Sequence, residues 1–176
     1  GKVTLEPVLL DAGHVVSDLV LSMAPLAETK QVSLGCESPG PGLMVWADQK
    51  RLQQILSNLL TNAIKFTEAG GRVVVRISAE PGLVVFEISD SGCGISPEFL
   101  PHVFDRFRQE DASSTRRRGG IGLGLAIARS LTVLHGGAIS VRSDGLDCGA
   151  TFRVALPAPG DSADPESGSA RNAVVS

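Results

Sequence analysis

No apolar run in this 176-residue sequence approaches membrane-spanning length, and its first residues lack the basic start and apolar stretch of a secretory leader. Cysteine is scarce as well. Cys36, Cys93 and Cys148 are odd in number, widely spaced and without a C-x-x-C pair, which argues against a disulfide framework and against a zinc site. A reducing, cytoplasmic setting is the expectation. There is no basic excess either: the formal net charge is −3, so a nucleic-acid surface is not the main business of the chain. No internal repeat is visible. The chain opens on Gly rather than Met, which predicts an excised piece of a longer protein. What is present is 43% hydrophobic residues, enough for one domain with a real core.

Apolar residues at Leu9, Ala12, Val16, Leu19, Val20 and Met23 carry a helical spacing over residues 8–29, with Pro25 as a kink or an end. After the break Ser38–Gly42 comes a short apolar run, Leu43–Trp46, and then Asp48, which predicts an N-cap for a long helix to about Phe66. Two β-rich runs, Arg72–Ser78 and Leu83–Ser89, flank Ala79–Gly82 and predict an antiparallel hairpin. Residues 95–118 are polar and arginine-rich and read as a long functional loop. A helix over 121–135 and strands at Ala138–Arg142 and Thr151–Leu156 follow. The Pro-, Gly- and Ser-rich stretch 158–176 reads as a disordered tail or linker beyond a domain spanning 1–157. Helices alternating with hairpin strands favour a two-layer α/β sandwich over a doubly wound parallel sheet.

Three local patterns carry chemistry. Gly119, Gly120, Gly122 and Gly124 form G-G-x-G-x-G directly before a helix. Glycines let backbone N–H groups approach an anion and a helix N-terminus adds its positive field, so the cluster reads as a phosphate cradle or as a plain flexible loop. It is not a dinucleotide fingerprint, because the polar run Ser113–Arg118 precedes it where a buried strand is required. On the helix 48–66, Asn58, Asn62 and Lys65 line one stripe opposite the apolar face, offering amide oxygens to a hard cation and an ammonium to phosphate; the alternative is a solvated helix face. At the end of a β run, Asp90-Ser91-Gly92-Cys93-Gly94-Ile95 pairs an acceptor-only carboxylate with bare backbone, suited to an exocyclic amino group and a flat base, or to an ordinary Asp-Gly turn.

Their order is more specific than any one of them. NLLTNAIKFT (58–67), DSGCGI (90–95), VFDRFRQ (103–109) and GGIGLGLAIA (119–128), with the later HGG (135–137) and GATFRVALP (149–157), resemble the catalytic ATP-binding domain of sensor histidine kinases, in the superfamily shared with DNA gyrase, mismatch-repair ATPases and heat-shock chaperones. The resemblance covers roughly residues 5–157. It implies a Bergerat-type fold: a mixed, mostly antiparallel sheet covered on one face by helices. It also implies Mg²⁺ and ATP as cofactors, with Asp90 on the adenine amino group, Thr151 nearby through water, Asn62 on Mg²⁺, and Asn58 and Lys65 toward the phosphates. Gly92, Gly94 and Ile95 would line the base pocket, while Gly120, Gly122, Leu123, Gly124 and Leu125 would hold the triphosphate at the end of a mobile lid, about residues 95–120. Phe104 and Phe107 would anchor that lid, and Arg106 or Arg116 would reach the γ-phosphate.

Two absences shape the implied chemistry. Hydrolysing members of the superfamily carry a glutamate one turn before the metal asparagine as the base for water; here that position is Asn58, and an amide accepts no proton at neutral pH, which favours transfer over hydrolysis. None of His14, His102 or His135 sits in an H-E-L-R-T-P-like context, so the acceptor histidine is expected on a separate dimerisation domain. His135, before Gly136 at a helix end, is read as a site where positive charge is welcome. The implied partners are that dimerisation domain and a response regulator or receiver domain, in a homodimeric full-length protein of which this piece alone is a monomer. The implied location is the cytoplasm, or the cytoplasmic part of a membrane-anchored sensor. Competing readings are a nucleotide-dependent regulatory module without transfer and a serine kinase of the anti-sigma-factor kind.

Overall fold

The computed structural model describes residues 4–108 and 122–160. Its elements run β1 (Val8–Asp11), α1 (Ala12–Thr29), β2 (Ser33–Glu37), β3 (Met44–Ala47), α2 (Gln49–Phe66), β4 (Arg72–Glu80), β5 (Leu83–Asp90), a 3₁₀ turn (Leu100–His102), α3 (Gly124–Leu134), β6 (Ala138–Arg142) and β7 (Ala150–Pro157). Five strands form one sheet in the order β2-β4-β5-β7-β6, parallel only between β2 and β4, and β1 pairs antiparallel with β3 in a separate ribbon. This is the two-layer, mostly antiparallel arrangement expected.

The β4–β5 hairpin forms because Val73–Val75 and Val84–Phe86 are β-branched or aromatic, and Pro81-Gly82 closes them. Gly82, at φ +71°, takes the left-handed position which that two-residue turn requires. Alternate residues face the helices: Val73, Val75 and Ile77 of β4, Val84, Phe86 and Ile88 of β5, and Phe152, Val154 and Leu156 of β7 are all buried in the core. Against them α2 lays Leu52, Ile55, Leu56, Leu59, Leu60, Ala63 and Ile64, every one buried. Each such Leu or Ile contributes roughly 1.5–3 kcal/mol on leaving water.

Both ends of α2 are held by side chains. Asp48 Oδ1 accepts from the Arg51 N–H at 3.1 Å, while its Oδ2 accepts from the Glu6 N–H at 3.0 Å. At the other end the Lys30 ammonium donates to the carbonyls of Ile64 (2.9 Å), Lys65 (2.6 Å) and Thr67 (3.0 Å), placing a cation where the helix field is negative.

Several boundaries differ from the sequence reading. Residues 8–11 pair as β1 before α1 begins, because Asp11 caps the helix through the His14 N–H, and Pro25 lies inside it. The run Leu43–Trp46 is mostly strand, joined by Ala47. Helix α3 starts at Gly124 rather than 121, since Gly122 sits at φ +71°, outside helical space. Ala158 is not free of the domain: its N–H donates to the Gly82 carbonyl and its side chain packs on the core. Residues 161–176, where the tail was expected, lie outside the described residues. No described helix is long and apolar enough to cross a membrane.

Asp48→Ala should lower unfolding stability by about 1–2 kcal/mol, the usual loss for an N-cap. The N–H groups of Glu6 and then Arg51 hold the Asp48 carboxyl below its ordinary value despite some burial. A depressed carboxyl stabilises the fold above its unfolded-state value, and that contribution disappears as pH falls through the folded-state value. Denaturant unfolding of both proteins at neutral pH and at about pH 3 should therefore show a gap that closes on the acid side.

Candidate active site

At the end of β5, Asp90 lies opposite Ala150 of β7 and Val73 of β4, on the helix-facing side of the sheet. Its Oδ1 accepts from the N–H groups of Gly92 (2.9 Å) and Ala150 (3.3 Å). Its Oδ2 has no partner among the described residues and is not fully buried. Burial pushes the Asp90 carboxyl above its ordinary range, outweighing the two backbone bonds that lower it. The carboxylate is thus fixed by one oxygen and presents the other.

The segments around Asp90 approach too closely for side chains. A Cβ on Gly149 would strike the Asp90 carbonyl oxygen, one on Gly92 the Phe66 carbonyl oxygen, and one on Gly94 the Gly145 carbonyl oxygen. Gly94 and Gly149 also hold φ +69° and φ +67°. The loop is stitched on both sides: Cys93 N–H donates to the Phe66 carbonyl (3.1 Å) at the end of α2, Gly149 N–H to Gly92 (3.1 Å), and Asp147 N–H to Cys93 (2.8 Å). Ile95 is buried and its N–H donates to Ser143 Oγ at 3.0 Å.

On α2, whose last carbonyl meets this loop, Asn58, Asn62 and Lys65 are all half-buried. The Asn58 amide donates to the Gly124 carbonyl at 3.0 Å, so α2 is tied to the first turn of α3. The Asn62 side-chain amide makes no hydrogen bond with any described residue. The Lys65 ammonium lies 5.0 Å from the centre of the Phe66 ring. Helices α1 and α2 have aspartate caps, whereas Leu123 supplies α3 with no side-chain cap, and among the described residues no side chain caps the N–H groups of its first turn. Gly122 accepts from the Phe107 N–H (3.1 Å), and a Cβ on it would lie 3.0 Å from the Arg108 carbonyl oxygen.

Residues 47–160 match the family described as histidine kinase-, DNA gyrase B- and HSP90-like ATPases. The chain belongs to that family. It is 36% identical over 143 residues to the sensor histidine kinase RppB of Synechocystis, covering 81% of this chain and 31% of that protein. Among solved structures, the mycobacterial sensor histidine kinase MprB superposes with a TM-score of 0.76 at 29% identity, covering 86% of this chain and 98% of that one. Full-length ShkA in complex with AMPPNP gives 0.76 at 35% identity, covering 91% of this chain and 32% of that one. The chain spans about a third or less of the length of the curated relatives it matches. It is an ATP-binding domain of the histidine kinase type.

Two residue expectations are corrected by the geometry of this ATP-binding domain. Thr151 does not face Asp90: it pairs with Ser89, their hydroxyls 3.0 Å apart, on the opposite face of the sheet, because strand side chains alternate and Ala150 takes the inward position. Phe104 packs edge-to-face on Phe152 with ring centres 6.1 Å apart, but Phe107 is 70% exposed at φ +60°, so only the first anchors its segment. His135 stands at the C-cap of α3, but its Nε2 is taken up as the acceptor of a hydrogen bond from the Asp48 N–H. Arg106 is exposed, Leu125 packs partly on the core, and Arg116 and Gly120 lie outside the described residues. Of the expected lid, residues 95–108 are described and the rest is not. The sequence reading missed Lys30 and Gly149; a glycine directly before a strand was the available signal for the second.

Asp90→Asn should fold and be at least as stable as the parent at neutral pH. The amide oxygen keeps both backbone bonds and the buried charge is gone. A carboxyl raised in the folded state favours folding when protonated and disfavours it once pH rises through the folded-state value, so the variant's advantage should shrink toward acid. Gly149→Ala should lose about 2 kcal/mol or more through backbone strain against Asp90. Thermal unfolding across pH checks both.

Proposed function

We propose that this chain binds Mg·ATP and presents the γ-phosphate to a histidine on a separate dimerisation domain, as the catalytic domain of a two-component sensor kinase. The observation that carries this reading is the Asp90 carboxylate, held through Oδ1 alone with no described partner on Oδ2, among the close backbone approaches that Gly92, Gly94 and Gly149 allow. An acceptor-only oxygen suits the adenine amino group, and backbone without side chains admits the flat base. The solved ShkA complex with AMPPNP, an ATP analogue on a similar fold, supports the same occupant.

From the base, the nucleotide would extend along α2 toward α3. Lys65 would place its ammonium on phosphate oxygens, and the uncapped first turn of α3, with Gly124 and Leu125, would supply N–H donors and the helix field. Asn58 would contact phosphate with the oxygen its Gly124 bond leaves over. Phe104 would hold the start of the lid on Phe152, while Arg106, exposed beside it, would reach the γ-phosphate on closure.

The residues present fit Mg²⁺. Among the described residues no group of three or more His, Cys, Asp or Glu could hold a metal, but Asn62 offers a neutral, uncommitted oxygen, and Mg²⁺ bound with a triphosphate needs few protein ligands. When bound, the ion neutralises charge on the phosphates and orients them.

Asn58 cannot take a proton from water and its amide is engaged with Gly124, so no described group there serves as a base for hydrolysis. Transfer then depends on an incoming nucleophile held in line with the terminal phosphate, and a histidine on a partner domain meets that need. The phosphorylated histidine would pass its group to a response regulator or receiver domain.

Calorimetric titration with ATP should show Asp90→Asn weakening binding by roughly 1.5–3 kcal/mol, the worth of a hydrogen bond to a charged group. With γ-labelled ATP, the isolated chain should release phosphate very slowly and take up no label. Supplying the dimerisation domain should produce labelled histidine, and Asn62→Ala should abolish it. Brisk hydrolysis, or a stable label on this chain alone, would contradict the proposal.

A further inference from the structure

His135 stands at the C-cap of α3, and its two ring nitrogens have fixed roles. The Leu131 carbonyl, 2.7 Å from Nδ1, can only accept, and the Asp48 N–H, 3.1 Å from Nε2, can only donate. The ring is therefore the tautomer with its proton on Nδ1. It joins the last turn of α3 to the N-cap residue of α2.

The Asn58–Gly124 bond is a second tie between the same helices, at the other end of α3. Asp48 to Asn58 spans about 15 Å of helix and Gly124 to His135 about 16 Å, at 1.5 Å rise per residue. The two helices run antiparallel with matched polar rungs at both ends of α3. Between the rungs, Ala128 and Leu131 pack into the core beside α2.

We infer that His135 is a positioning residue for the nucleotide site. By fixing α3 on the N-cap of α2, it sets where the first turn of α3 and the Asn58 amide meet, some 16 Å away along α3. The effect on nucleotide rests on the ATP reading above; the tie itself does not.

Two polar variants separate the ring's bonds. His135→Asn keeps a donor near the Leu131 carbonyl but cannot reach the Asp48 N–H, whereas His135→Gln carries an acceptor to the Nε2 position. Calorimetry with Mg·ATP, at a temperature where circular dichroism shows both variants folded, should find His135→Gln within about twofold of the parent and His135→Asn weaker by about five- to tenfold, the size of one lost hydrogen bond. In the same samples, NMR should place the ring proton of the parent on Nδ1 and show the Asn58 side-chain amide signals shifting in His135→Asn alone. Equal affinities for the two variants, a purely structural loss of melting temperature without a change in affinity, or unshifted Asn58 amide signals would overturn the assignment. A parent chain that binds no ATP would instead overturn the nucleotide reading, and the ring tautomer and Asn58 signals would still decide the tie.

Discussion

The structure depends on a close approach of backbone to backbone at the end of β5. Gly149 lies against the Asp90 carbonyl, Gly92 against the carbonyl of Phe66, and Gly94 against that of Gly145. Only glycine allows these contacts, and together they bring the end of α2, the loop after β5 and the start of β7 to one point. The Asp90 carboxylate stands at that point with one oxygen spent on backbone N–H groups. Its partial burial is unfavourable to the charge and pushes the carboxyl above its ordinary range. On the proposed reading, a partly buried carboxyl with one oxygen left without a described partner is set to meet a ligand's donor.

The helices complete the site from the other side. Lys30 closes the C-terminus of α2 with three carbonyl bonds, Asp48 closes its N-terminus, and His135 and Asn58 tie α3 alongside. Helix α3 is the exception among the three, with no side chain satisfying its first turn. Among the described residues both ends of α2 are closed by side chains, and the contrast with the start of α3 is what the proposed phosphate position rests on.

Much of this was legible in the sequence. The Asp48 cap, the apolar face of α2, the β4–β5 hairpin and the place of Asp90 at a strand end follow from local rules: capping chemistry, 3.6-residue periodicity and β-branched runs. The misplacements share another origin. β1 and β3 are strands only because they pair with each other across α1 and the loop before β3, a long-range fact that local spacing does not carry. Thr151 was set beside Asp90 by the family resemblance, but strand register decides the face, and register puts Ala150 there. Phe107 reads like Phe104 in sequence, yet its left-handed backbone turns it outward. Lys30 and His135 act on helix ends distant in sequence, and such caps leave no local pattern.

The account stands most directly on the open oxygen of Asp90 as an acceptor for an amino group on the base. Parallel titrations of the parent chain with Mg·ATP and with the inosine triphosphate, in which a carbonyl replaces the adenine amino group, test that point without altering the protein. The account predicts measurable binding of ATP and a loss of at least about tenfold for the inosine nucleotide, because two acceptors would then face each other. Equal affinity for the two nucleotides would contradict it.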